Sequence, residues 1–333
     1  MPVPAPAAPP SVLHVNDAAF TARRLIAEGR RRGYPWHLLP RAAADQEWRG
    51  LAGRGRRALV GAAWVARLGV LARRHDVVHV HSASTLTHSR WGSRRFVLHC
   101  HGSDVRTAQY DPARTRSIRA GLRAAEAVFY STPDLAEHVL PHRADAVYLP
   151  VPVDTHNIAH WVAGPGKPQV VFASRWGPEK GASTLLDIAR ELVVSLGDRA
   201  DVVGLDWGPQ AVDAAALGVR LVPRSDHATY LRLLAGAHVV VGQATGMLGG
   251  SELEALAAGC PLVVPVALPL YAAAPPPVLG GSVGDAVAAA VALVDGNGSH
   301  DPEVARKWVR DEHGVDRAVD TVLEVYRDVL ARR

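Results

Sequence analysis

Two cations, Arg175 and Lys180, stand five residues apart in VVFASRWGPEKG (170–181), and their types and spacing suit them to an anion. The stretch reads as a buried strand ending at Ser174, a Gly-Pro turn between the cations, and the start of a helix. Positive side chains at the carboxyl end of a strand, on the same rim as a helix N-terminus, would make a diphosphate site. The second candidate is VVVGQATGMLGGSELEALAAGCPLVVPV (239–266), which reads as strand, glycine-rich loop, helix, turn and strand. Gly246, Gly249 and Gly250 allow a tight turn and a close approach of backbone to ligand. Ser251, with Glu254 three residues on, has the form of a capping box. Gly259 followed by Pro261 ends the helix. Free N–H groups and the positive end of the helix dipole would then face a phosphate. Taken alone, the stretch is equally an ordinary loop-to-helix junction in which Glu254 caps its own helix.

The elements that must hold these residues alternate along the chain. Strands are expected at 12–16, 36–40, 77–81, 96–101, 127–131 and 146–150, and again at 170–174, 202–206, 219–223, 239–241 and 262–266. Helices fill the intervals, among them 56–74 and 225–238, with three more starting near Asp285, Pro302 and Asp316. The stretch 269–283, with three consecutive prolines from Pro275, reads as irregular. Such alternation implies parallel sheets with helices on both faces. A chain of 333 residues can form two domains with large cores. The segment 155–168, richest in Gly and Pro at its end, marks the boundary between them. The expected organisation is a disordered Pro/Ala tail at 1–11, a first domain at 12–160, a second at 161–315, and a last helix at 316–333 that crosses back to the first domain.

Ligands of open α/β sheets bind beyond the carboxyl ends of the strands. In the first half those ends carry NDAAF from Asn16, HSAST from His81 and HGSDVR from His101. His101, beside Gly102 and Asp104, is the polar strand-end histidine best placed to meet a ligand. His79 and His99 alternate with apolar residues and read as structural.

Together these stretches resemble the retaining glycosyltransferases of family 4, from about Val12 to about Leu330 and more specifically in the second half. The resemblance implies the GT-B fold, two Rossmann-like doubly wound parallel-sheet domains facing a central cleft. It implies that Arg175 and Lys180 neutralise the diphosphate of a nucleotide-sugar, that Glu254 binds the ribose hydroxyls, and that Gly249, Gly250 and Ser251 line the phosphates. Gly246 and Asn16 fall on the donor side, Arg224 near the base, and His101, Gly102 and Asp104 on the acceptor side. Pro150 and Asp154 match the segment that leads between the domains. Two positions depart from the family. Gly246 stands where a Glu usually touches the donor sugar, and Ala18 and Ala19 stand where many members have a Gly-Gly pair. The activity implied is sugar transfer, with retention, from a nucleotide-sugar to a small-molecule, glycan or lipid acceptor. A non-catalytic nucleotide-sugar-binding relative and a sugar-nucleotide epimerase are the alternatives.

Other classes find little support. The dinucleotide fingerprint is absent after the first strand, as is the Walker P-loop. No Cys/His spacing or Asp-x-Asp pair suggests a metal, so neither metal nor cofactor is expected. Cys100 and Cys260 sit beside buried strands and read as small core residues. Charge is uneven: residues 1–160 carry 22 arginines, no lysine and 12 acidic residues, whereas the remainder carries 15 basic and 20 acidic. That excess reads as solvated helix faces, with no nucleic-acid motif accompanying it. The basic helix at 56–74 has the composition of a membrane-surface helix, but a helix before a strand more often packs on its sheet, which is the expectation here. With no secretory leader and no apolar run of about 20 residues, the protein is expected in the cytoplasm.

Overall fold

The structure is a computed structural model and describes residues 9–41 and 50–333. The chain divides into two compact units: one runs to Pro152 and resumes at Val315–Arg333, the other is Val153–Gly314. Most of the tail expected at 1–11 lies outside the described residues. Its last residues are held: Ser11 donates through N and Oγ to the Asp76 carboxylate at 2.8 and 2.7 Å, and the Pro10 carbonyl accepts from Trp36 Nε1. The segment 155–168, read as a linker from its composition, is tied into the second unit. Trp161 N–H donates to Ala258 O, Val162 N–H to Ala235 O and Gly164 N–H to Gly236 O.

The first unit is built on six parallel strands: β1 (Val12–Val15), β2 (Trp36–Leu39), β3 (Val77–His81), β4 (Val97–Cys100), β5 (Ala127–Tyr130) and β6 (Val147–Tyr148), in the order β2-β1-β3-β4-β5-β6. Side chains alternate across the sheet with period two. Leu13, Val15, Val78, Val80, Leu98, Cys100 and Val128 face one core. Val12, Val77, Val97 and Phe129 face the other, against Leu25 and Ile26 of the Thr21–Arg31 helix and Val319, Val322 and Tyr326 of the Val315–Ala331 helix. His14, His79, His81 and His99 fall in that second register. The helix expected at 56–74 starts earlier and spans Gly50–Ala72. Against expectation it packs on the sheet only in part: Gly53 and Leu68 are buried and Trp64 and Leu71 lean on the core, while Leu51 and Leu59 stand in solvent. Its runs of Ala, Gly and Arg leave too few large apolar side chains on one face to bury its whole length.

The second unit repeats the plan with β7 (Gln169–Phe172), β8 (Asp201–Leu205), β9 (Arg220–Val222), β10 (Val239–Val241), β11 (Leu262–Val264) and β12 (Leu279–Gly280), all parallel, in the order β12-β11-β10-β7-β8-β9. β12 falls in the stretch read as irregular. Two residues show no periodicity, and the pairing depends on Gly280, whose φ is +102° and where a Cβ would lie 2.4 Å from Val264 O. In each sheet the strand order reverses once, at β1/β3 and at β7/β10, and such switch points are where doubly wound sheets bind ligands. Both stretches singled out in the second half leave the β7/β10 pair. Cys100 and Cys260 are free and buried.

One packing contact offers a direct check. Gly204 of β8 faces Trp176, which is fully buried, and a Cβ there would stand 2.7 Å from the indole ring. Gly204→Ala should therefore lower stability by about 1–3 kcal/mol, read as an earlier midpoint in urea unfolding. An unchanged midpoint would mean that the ring moves aside freely.

Candidate functional site

At the β7/β10 switch point two loops are latched together. After β7 the chain turns through Pro178–Lys180, and Gly181, with φ +71°, opens the Ala182–Leu196 helix. After β10 it runs through Gly242 and Gln243 to the Gly250–Ala258 helix. Ala244 N–H donates to Lys180 O at 3.0 Å. A Cβ on Gly181 would stand 2.5 Å from Ala244 O, so the close approach requires glycine. The Lys180 ammonium donates to Gln243 Oε1 at 2.6 Å, and Gln243 Nε2 donates onward to Met247 O at 2.8 Å. A methyl group placed on Gly249 would stand 3.5 Å from Lys180 Nζ. The cation therefore sits beside the residue that begins the helix, where N–H groups and dipole already favour an anion.

The helix start differs from the one expected. Gly249 is the N-cap, so Ser251 lies inside the first turn and does not cap. Glu252, not Glu254, reaches back: its Oε2 accepts from Gly249 N–H at 2.9 Å, and its Oε1 accepts from Gln243 N–H at 3.0 Å and Ser174 Oγ at 3.1 Å. Fully buried, Glu252 ties the ends of β7 and β10 to the helix. Sequence reasoning missed it because Ser at 251 outranks Gly at 249 as a cap by residue type. The signal available was the carboxylate three residues after Gly249. Glu254, released from capping, is buried and pairs with His227 Nε2 at 2.8 Å. Tyr230 OH donates to Ala173 O at 2.8 Å, and burial raises its phenol well above the ordinary range. Gly246 has φ +74°, a conformation that disfavours any side chain, so a Glu in its place would strain this loop.

Arg175 has partners of its own, Glu179 and Trp207. Its Nε donates to Glu179 at 2.6 Å, and its guanidinium lies 5.2 Å from the centre of the Trp207 ring. Arg224 stacks on the same indole at 4.4 Å. Two arginines on one tryptophan form a cationic platform. Gly250 meets nothing within 4 Å at its Cβ position.

In the first unit the β1/β3 switch point gathers the other predicted residues. Asn16, with φ +69°, donates through Nδ2 to His81 O and to Thr85 Oγ1, both at 3.0 Å, and so joins the two strand ends. Asp104 turns inward: its carboxylate accepts from the backbone N–H groups of Ala83, His101, Gly102 and Val105. Gly102 adopts φ +131° beside it. Asp104 thus shapes the loop and does not present a free carboxylate. His101 is half-buried at the end of this strand.

Behind His101 lies a row of histidines that the sequence presents as separate strand residues. His14, His79, His81 and His99 are all fully buried on one face of the sheet. His81 Nδ1 meets His101 Nε2 at 3.1 Å and His81 Nε2 meets His14 Nδ1 at 3.0 Å, while His79 Nδ1 meets Tyr326 OH at 2.5 Å. Burial pulls His14 down to about 3 and, against the pull of Asp104, His101 to about 4; the other three are lowered well below the ordinary value, first by burial and then by their neighbours. The row is neutral at pH 7. His14, His79 and His81, and separately His81, His99 and His101, bring ring nitrogens within 4.8 Å of one another, a spacing that could hold a metal. Each triad contains a pair of rings lying one over the other: His79 stacked on His81 with centres 4.3 Å apart at 18°, and His99 over His101 at 4.1 Å, tilted by 31°. Rings stacked in this way send their lone pairs out side by side, whereas the ligands of a tetrahedral cation must converge. As packed, the row favours hydrogen bonds between imidazoles.

No family profile matches the chain, and no curated protein matches it by sequence. Solved structures do match by fold. HepE from Anabaena, crystallised with UDP-glucose, has a TM-score of 0.68 at 13% identity, over 96% of this chain and 100% of that one. AviGT4, a glycosyltransferase involved in avilamycin A biosynthesis, has a TM-score of 0.63 at 19% identity, over 97% and 98% of the two chains. The lipopolysaccharide outer core galactosyltransferase WaaB, in its apo form, has a TM-score of 0.59 at 10% identity, over 97% and 99%. At these identities the likeness is one of fold, and the fold is GT-B. Among the described residues no helix is long and apolar enough to cross a membrane.

Two outcomes follow from this geometry. Glu252→Ala removes the acceptor of two backbone N–H groups and should cost on the order of 3 kcal/mol, measured by chemical denaturation. The histidine row sets a pH dependence. Its folded values lie below the unfolded value, so the unfolded chain binds the extra protons on acidification. The contribution is fully present well above pH 6.5, the ordinary histidine value, and should be lost progressively as the pH drops from there toward 4. Calorimetric midpoints across that range check the sign, and replacing His14 by Phe should flatten the slope.

Proposed function

We propose that the chain is a retaining glycosyltransferase of the family 4 type, moving a sugar from a nucleotide-sugar to an acceptor hydroxyl. The observation that carries this reading is the Lys180 ammonium beside Gly249, at the N-terminus of a helix and at the switch point of a doubly wound sheet. The solved structures of similar fold support it, HepE having been crystallised with UDP-glucose. In this reading Lys180 and the N–H groups of Gly249, Gly250 and Ser251 hold the diphosphate. Glu254 accepts hydrogen bonds from the ribose hydroxyls, with His227 fixing one of its oxygens. Arg224 on Trp207 lies toward the base. Arg175 reaches the phosphate by exchanging Glu179 for it, one anion for another.

The chemistry follows from where charge develops. As the bond between the sugar and the diphosphate breaks, negative charge grows on the departing phosphate, and fixed cations and N–H groups stabilise it. The acceptor hydroxyl attacks from the side the phosphate leaves, and its proton passes to a phosphate oxygen. Configuration is kept, and no protein nucleophile is required. The positive charge comes from Lys180, Arg175 and the helix tip, so no metal is assigned a role. His101 acts on the acceptor side.

Lys180→Ala should lower transfer by about 10²–10³-fold with an unchanged circular dichroism spectrum, assayed as nucleoside diphosphate released in the presence of acceptor. A screen of nucleoside diphosphates and their sugars should raise the melting temperature of the parent, and Glu254→Ala should abolish the rise. A Lys180→Ala variant that turns over at the parent rate would overturn the assignment. Binding with neither transfer nor donor hydrolysis would instead mark a nucleotide-sugar-binding relative, the reading that Gly246 favours.

A further inference from the structure

The three imidazoles of His14, His81 and His101 form one continuous chain of hydrogen bonds, from the dry interior of the first unit to the strand ends. We propose that His14 and His81 are positioning residues that decide which ring nitrogen of His101 carries its proton, leaving His101 with Nδ1–H as a hydrogen-bond donor at the rim.

A neutral imidazole has one N–H and one lone pair. In a chain of neutral imidazoles the protons must therefore all point the same way, and two orders exist. In the outward order His14 Nδ1–H donates to His81 Nε2, His81 Nδ1–H donates to His101 Nε2, and the proton of His101 resides on Nδ1. In the inward order every tautomer is reversed, and the proton of His14 resides on Nε2. The two ends of the chain decide between them. His14 Nε2 is buried and has no hydrogen-bond partner among the described residues. The inward order would place an N–H there, adding a second unpaired buried donor to the one that neutral His99, with neither ring nitrogen partnered among the described residues, already carries, and each such donor is costly. The outward order leaves a lone pair at the dry end and sends the surplus N–H to His101, the half-buried member that a ligand can reach.

The loop around His101 is held independently of its ring. Asp104 accepts from the N–H groups of His101 and Gly102 and fixes the backbone without touching the imidazole nitrogens. Control of the tautomer is thus left to His81, in the way that the partner of one ring nitrogen determines the state of the other. Free imidazole side chains favour Nε2–H, so the chain imposes the less common form. The proton order stands apart from any assigned reaction. Its use rests on the glycosyl-transfer reading, in which an Nδ1–H donor stabilises a substrate oxygen and the acceptor proton goes to phosphate.

The test is long-range ¹H–¹⁵N spectroscopy of the full chain labelled on histidine, with the His101 signals assigned by their loss in His101→Ala. The expected result is Nδ1–H for His101 in the parent protein. His81→Phe should convert it to Nε2–H. His81→Asn, whose amide nitrogen replaces the Nδ1 donor, should keep Nδ1–H. An Nε2–H form in the parent, or an unchanged tautomer in a folded His81→Phe protein, overturns the proposal. The parent spectrum decides the order even where the Phe variant fails to fold. In the transfer assay His81→Phe should lower kcat by on the order of tenfold with little change in KM, and His81→Asn should recover most of it. A flipped tautomer with unchanged kcat overturns the positioning role. A parent protein with no transfer activity refutes the glycosyl-transfer reading and leaves the spectroscopic result standing.

Discussion

A cation placed beside a helix N-terminus is repelled by the same dipole that would welcome an anion, so something must hold it there before the anion arrives. In this protein Gln243 does so. Its amide oxygen takes the Lys180 ammonium, its amide nitrogen is anchored on Met247 O, and its own backbone N–H is anchored on Glu252. The positive pole of the helix, the ammonium and the loop glycines are thereby assembled in advance. In the proposed function an arriving diphosphate need only take the ammonium from an uncharged amide oxygen. That low reorganisation is what makes such a site effective in stabilising developing charge.

The buried carboxylate of Glu252 supports this arrangement from beneath. It joins Ser174 after β7, Gln243 after β10 and Gly249 at the helix start. A charge so deeply buried is tolerated only when its oxygens are well supplied with donors, and the three donors come from three different elements. Local geometry at the switch point therefore depends on one side chain. Arg175 shows the complementary case. Exposed and paired with Glu179, it is free to change partners because its ion pair is of the kind water competes with.

The first unit solves a different problem with similar means. Its strands place histidines where apolar residues would be the ordinary choice. Burial holds them neutral, and hydrogen bonds to one another and to Tyr326 satisfy some of their nitrogens but not all. Leaving buried polar atoms unpaired is costly, and a fold that retains several of them in a line toward its strand ends links its core directly to its candidate acceptor side.

Much of this was legible in the amino-acid order alone. Short β-branched runs at regular spacing dictate parallel strands, because buried strands need apolar side chains on both faces. Gly259 and Pro261 dictate where a helix stops, since backbone sterics are local. The cation at Lys180 and the glycine loop at Gly249 were visible as separate motifs for the same reason. What the order of residues could not decide was everything that depends on partners distant in sequence. The true cap was Glu252 acting on Gly249, because Ser174 and Gln243, brought by two other strands, hold its carboxylate in place. β12 exists only because β11 offers it an edge. Arg175 took Glu179 and Trp207 as partners, the latter brought by another strand. The histidines of β1, β3 and β4 became a chain only when the strand order placed them side by side, since hydrogen bonds between side chains depend on separations of a few ångströms that sequence spacing does not contain.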